Sequence, residues 1–185
     1  PVSVGVFCRR TLLIVKKFAS FIPACTLLVA LFVGLVSTGL PASATTTWTR
    51  AKGPTGQTLA ASAATNLGDG TEIVVKGAGY NTKVGIYVTY CVVPPKGKRP
   101  DLCGPFDITG QNNASTWVSS NPPLYAKLLV KPFGKNGTFK VKLKVTRMIG
   151  DQDCQVVKCA ITTRADHTRG DYRKADVFIP VTIAP

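Results

Sequence analysis

The sequence predicts an all-β domain, an antiparallel sandwich of short strands behind an export leader. Three observations carry this. Apolar residues recur with a period of two after Thr58, turn residues punctuate them at short intervals, and no stretch after Ala44 repeats with a helical period. Strict alternation sends one set of side chains to a core and the other to water.

The leader comes first. Residues 1–44 hold no acidic residue; Arg9, Arg10, Lys16 and Lys17 precede an apolar run over 18–40 that ends in Pro41-Ala42-Ser43-Ala44. The small residues of that Ala-x-Ala end suit signal peptidase, so cleavage after Ala44 is expected. An uncleaved anchor is the alternative, because the run approaches the roughly 20 residues that span a bilayer. It is the one membrane contact expected. The chain begins at Pro1 and its single methionine is Met148, so a start at Val15 through an alternative initiation codon is expected to leave 1–14 untranslated.

After Ala44 there are 19 basic and nine acidic residues, a net +10. This length suits one domain, and the charge points to anionic polymers outside the cell or simply to solubility. Cys8 and Cys25 leave with the leader, and Cys91, Cys103, Cys154 and Cys159 remain with no metal-site spacing. In an exported chain they are expected to be oxidised and structural.

Residues 45–57 are threonine-rich and read as an extended linker, with Trp48 able to pack back on the domain over 58–185. Ile73 and Val75 then alternate with Val74 and Lys76, bracketed by Gly68-Asp69-Gly70 and Gly77-Ala78-Gly79. Ile86, Val88, Tyr90 and Val92 alternate with Tyr87, Thr89 and Cys91. Residues 107–124 form a long polar excursion around Trp117 and Val118, where an exposed tryptophan would be a contact residue. Lys135-Asn136-Gly137 is a tight hairpin turn expected to join two strands, since Asn and Gly tolerate positive φ. Phe139, Val141, Leu143 and Val145 follow, alternating with Lys140, Lys142 and Lys144. Pro180 falls within the last strand, over 177–183, and demands a sheet edge or bulge because proline cannot donate to a ladder. Short strands at this spacing suit a sandwich of immunoglobulin type.

Chemistry is sparse. His167, the only histidine, follows Asp166 in an expected loop, and one histidine makes no metal cluster. Asp151 and Asp153 lack the glycine and distal glutamate of a calcium loop. Ser62, Ser115, Ser119 and Ser120 lie in no nucleophile motif, and no phosphate loop is present. Neither catalysis, metal nor cofactor is expected. Lys140, Lys142 and Lys144, with Lys127, Lys131 and Lys135 as neighbours, form a cationic ladder that faces open water or awaits an anion. Nucleic-acid binders add aromatic stacking platforms. The strand exposes none, which favours an envelope polyanion over nucleic acid.

The order Asp69-Gly70, Gly77-Ala78-Gly79-Tyr80, a strand ending at Cys91, Leu102-Cys103, Asn136-Gly137, then Cys154 and Cys159, resembles the neocarzinostatin family of secreted bacterial apoproteins, over residues 58–183. The resemblance implies an immunoglobulin-like sandwich of about seven strands, the pairings Cys91 to Cys103 and Cys154 to Cys159, and a cleft of the kind that holds an enediyne chromophore in the best-known members. The sequence departs from that pattern in three ways. The connection 147–153 is too short for the aromatic-bearing hairpin that walls the cleft, Val93 replaces an aromatic, and the chain is basic where the carriers are acidic. A shallow groove with Phe106 as anchor is what remains.

The C-terminal run Thr163-Arg164-Ala165-Asp166-His167-Thr168, with Asp171, Asp176 and Pro180-Val181-Thr182, resembles β modules of bacterial haem-uptake surface proteins. The expected function is thus a secreted binding module that takes a small apolar ligand at Val93, Phe106 and Trp117. The alternatives are a cationic envelope module acting through Lys140, Lys142 and Lys144, and an accessory to haem uptake at the cell surface.

Overall fold

A computed structural model describes residues 47–107 and 111–185; the leader, its cleavage point, the alternative start and residues 108–110 lie outside them. The strands in chain order are β1 (Thr49–Lys52), β2 (Thr58–Ala61), β3 (Thr71–Ala78), β4 (Ile86–Val92), β5 (Ser115–Val118), β6 (Phe139–Val145), β7 (Met148–Ile149), β8 (Gln152–Asp153), β9 (Cys159–Ala165) and β10 (Val177–Val181). One antiparallel sheet runs β1-β2-β3-β6 and the other β10-β9-β4-β5, with β7 and β8 as a separate ribbon. The fold is an all-β antiparallel sandwich with two disulfides. Between the sheets lies one core, in which Leu59, Val75 and Leu143 from the first meet Val88, Ile161 and Ile179 from the second.

β6 follows its alternation residue by residue, with Phe139, Val141, Leu143 and Val145 buried and the three lysines between them exposed. β4 does not. Tyr87, Thr89 and Cys91 are buried as well as Ile86, Val88 and Tyr90, because the outer face of that sheet is covered. Gly104 donates to the Tyr90 carbonyl at 2.7 Å and Val92 to the Leu102 carbonyl at 2.9 Å, laying the chain after Leu102 alongside β4.

Three expectations need correction. The stretch 45–57 is more than a linker, since Thr49–Lys52 pairs with Thr58–Ala61 and gives the first sheet its outer strand; the two sheets hold four strands each. Gly77 does not bracket β3 but lies inside it, where a Cβ would stand 2.1 Å from the Phe139 ring. Asn136-Gly137 is a positive-φ turn as expected, but it leads from a single bridge, Gly134 to Thr138, into β6 rather than joining two full strands. Pro180 conforms: β10 is an edge strand.

Cys91–Cys103 and Cys154–Cys159 are bonded in the pairing that the family resemblance implies. The first ties β4 to the segment that covers it, and the second closes the short loop before β9. Chain-entropy arithmetic gives about 3 kcal/mol for the longer loop and about 2 kcal/mol for the shorter. Serine replacement of Cys91 and Cys103 together should thus lower unfolding free energy more than replacement of Cys154 and Cys159, as read by urea titration under identical conditions. The reverse order would mean that the covering segment is held by its hydrogen bonds rather than by the bridge.

Candidate functional site

The three residues expected to hold an apolar ligand separate. Val93 is partly exposed and donates its N–H to the Lys158 carbonyl at 2.8 Å. Phe106 is 49% exposed, with its ring edge-on to Tyr87 at 4.9 Å. Trp117 is only 6% exposed, so the expectation of an exposed contact tryptophan is corrected. It lies in β5, paired with Tyr87 of β4, not in a loop. Its Nε1–H donates to Asp166 Oδ2 at 2.9 Å, and its ring sits 5.7 Å from Tyr87 and 5.0 Å from His167. Burial of the Tyr87 phenol, more than the nearby Asp166 charge, raises its pKa. These aromatic rings pack on one another.

His167 is similarly engaged. Its Nδ1 is hydrogen-bonded to the Tyr87 hydroxyl and its Nε2 to the Tyr125 hydroxyl at 3.1 Å. Both ring nitrogens thus have a tyrosine hydroxyl as partner. Among the described residues no three His, Cys, Asp or Glu side chains gather as a metal set. Asp153, one of the two carboxylates before Cys154, is held below its ordinary pKa chiefly by the Arg147 side chain hydrogen-bonded to it.

A different site emerges on the outer face of the first sheet. Strand register aligns Arg50 with Ala60, Ala60 with Lys76 and Lys76 with Lys140, one row across all four strands. Three of its four positions are cationic. Like charges directly opposite one another, as Lys76 and Lys140 are, destabilise a sheet. The row crosses a groove of about 670 Å³ whose lining also includes Trp48, Lys131, Pro132 and Phe139. Small residues, Ala60 and Ala78, leave the floor open, and the lining holds four cations and no carboxylate. Trp48 does pack back on the domain, with Lys76 Nζ 4.2 Å from its ring centroid. Lys131 reaches over to donate to the Lys140 carbonyl at 2.6 Å.

The lysine ladder of β6 is thereby divided. Lys140 belongs to the groove. Lys142 is paired with Glu72 at 2.7 Å, and that pairing lowers the pKa of the Glu72 carboxyl. Lys144 lies opposite Glu72 in the register. Away from the groove, Arg99 and Arg164 share Asp101, and Arg173 pairs with Asp176 at 2.8 Å. The groove stands out for the four cations that meet in its lining. Of its lysines, Lys140 was legible from the β6 pattern and Lys131 as its neighbour. Arg50 and Lys76 were not, because their alignment depends on the β1–β2–β3 register, which no local spacing encodes.

No family model and no curated protein matches the chain. Among solved structures it is similar to macromomycin. The two are 19% identical over 69% of this chain and 99% of the other, with a TM-score of 0.44.

Proposed function

We propose that the chain is a secreted, non-enzymatic binding module that holds a segment of an anionic cell-envelope polymer in the groove of the first sheet. The observation that carries this is the cross-strand row of Arg50, Lys76 and Lys140, backed by Lys131 and walled by Trp48, with no carboxylate in the lining. An anion would relieve the repulsion that the register imposes, and an open groove admits a chain passing through it. Trp48 supplies a flat apolar surface for a ring or a chain repeat. The small apolar ligand implied by the family resemblance has less to hold it, since Trp117 is buried and Phe106 is engaged by Tyr87.

Isothermal titration with polyglycerol phosphate and with an acidic polysaccharide tests this reading. The triple substitution Arg50→Gln, Lys76→Gln and Lys140→Gln should weaken binding by roughly 10- to 100-fold, taking each exposed charge as worth up to about 1 kcal/mol. Parent binding should also fall with added salt, because exposed charges are screened over about 10 Å at 0.1 M. Lys142→Gln should have a smaller effect because Glu72 already neutralises that charge. If the triple variant binds both polymers as the parent does, the row is a solubility feature and the groove reading fails.

A further inference from the structure

We propose that the loop over residues 122–131 is a docking element for an anionic lipid surface, inserting leucines among acyl chains while lysines meet the headgroups. Leu128 is 97% exposed and Leu124 80%, with Tyr125 and Leu129 also open to water. Contiguous exposed apolar side chains of this size mark an interaction site rather than chance.

This loop is held, not frayed. Lys131 N–H donates to the Trp117 carbonyl at 2.8 Å, and Ser119 N–H to the Lys131 carbonyl at 2.9 Å, tying its end to β5. Ala126 is fully buried beneath it, against Tyr87 and Trp117. The Tyr125 hydroxyl bonds to His167. The small alanine is thus turned in against the rings while the large apolar residues on either side are turned out. Polar side chains would serve that outward position better if water were its only neighbour.

Charge names the partner. Between Asp107 and Asp151 the sequence contains no acidic residue, yet it holds Lys127, Lys131, Lys135, Lys140, Lys142, Lys144 and Arg147. A second groove, of about 570 Å³, runs between the loop and β6, with Leu128, Leu129, Val130 and Val74 on its apolar side and Lys131, Lys140 and Lys142 at its rim. Apolar residues beside lysines match the two layers of a bilayer surface: acyl chains below, phosphates above, with lysine stems spanning the boundary. Among the described residues no helix is long and apolar enough to cross a membrane; the contact proposed for this loop is a peripheral one.

Cosedimentation with vesicles of mixed phosphatidylglycerol and phosphatidylcholine, against phosphatidylcholine alone, tests it. The parent should bind the mixed vesicles and release them with salt. The double substitution Leu124→Ser and Leu128→Ser should weaken that binding about tenfold or more, as expected when two apolar side chains no longer leave water. Its thermal midpoint should match the parent's, because both side chains are already exposed. A Leu128→Trp variant should shift its emission to shorter wavelength on mixed vesicles only. Absence of parent binding, equal binding to pure phosphatidylcholine, or a double variant that binds as the parent does would each overturn the proposal. The leucine variants should keep their affinity for soluble polymers, and Arg50→Gln should leave vesicle binding intact. Vesicle binding without polymer binding therefore supports the loop and removes only the groove.

Discussion

Gly137→Ala should destabilise the domain by about 4 kcal/mol or more, placing it in the small class of substitutions with severe and diagnostic effects. Gly137 has φ 65°, and a Cβ there would stand 1.9 Å from the Tyr80 carbonyl oxygen and 2.6 Å from its nitrogen. That backbone has no room to yield. Gly79 and Tyr80 donate to the carbonyls of Asn136 and Gly137, and the Tyr80 ring is pinned near Phe133 and Phe139 with its hydroxyl 3.0 Å from Thr163. Gly150 supplies the control. It has φ 56° with nothing within 4 Å of its virtual Cβ, so Gly150→Ala should cost only the left-handed conformation, about 1–2 kcal/mol. Urea unfolding of both variants decides the point. Equal losses would mean that the Asn-Gly turn is not clamped against Tyr80.

That pair also marks how far the sequence is legible. The Asn136-Gly137 turn is written locally, since two adjacent residues that tolerate positive φ need no tertiary partner to announce themselves. Its clamp on Tyr80 is not, because it joins segments far apart in the chain. The same division runs through the fold. β6 shows its two faces in its own spacing because one side meets the core and the other meets water. β4 alternates equally well, yet both of its faces are buried, because the Cys91–Cys103 bridge and the chain beyond Leu102 cover the outer one. Trp117 in a polar neighbourhood looked like a loop contact. Only its register opposite Tyr87 and the carboxylate of Asp166 explain why it is inside. The candidate groove is the extreme case: Arg50, Lys76 and Lys140 are scattered in sequence and become a site only through three successive registers. The apolar loop went unread because its residues carry neither a strand nor a helical period, and only the packing of Ala126 against Tyr87 and Trp117 shows which of them points inward.

Asp166→Ala should lower stability by about 4 kcal/mol, since hydrogen bonds to a charged acceptor contribute about 1.5–3 kcal/mol each and the donors left behind are partly or wholly buried. The side chain is almost fully enclosed and accepts from Trp117 Nε1–H at 2.9 Å, Thr168 N–H at 3.0 Å and Thr168 Oγ1–H at 2.6 Å. Gly85 lets it in: a Cβ at that position would lie 2.0 Å from Asp166 Oδ2. Asp166→Asn should lose about half as much, because Oδ1 keeps its role toward Thr168 while an amide nitrogen replaces the oxygen that Trp117 requires, setting donor against donor. Trp117→Phe removes that conflict. The double variant Trp117→Phe and Asp166→Asn should then be more stable than the sum of the single losses implies, with a coupling of about 1 kcal/mol or more. A coupling under about 0.5 kcal/mol would place the energy of Asp166 in its cap on the turn His167–Arg169 rather than in its bond to Trp117. The two outcomes differ for the docking loop. If the bond to Trp117 dominates, Asp166→Asn should also loosen β5, to which residue 131 is tied, and amide exchange over residues 117–131 should quicken. If the cap dominates, exchange should quicken around His167 and Thr168 while the Lys131 amide, held by the Trp117 carbonyl, stays protected.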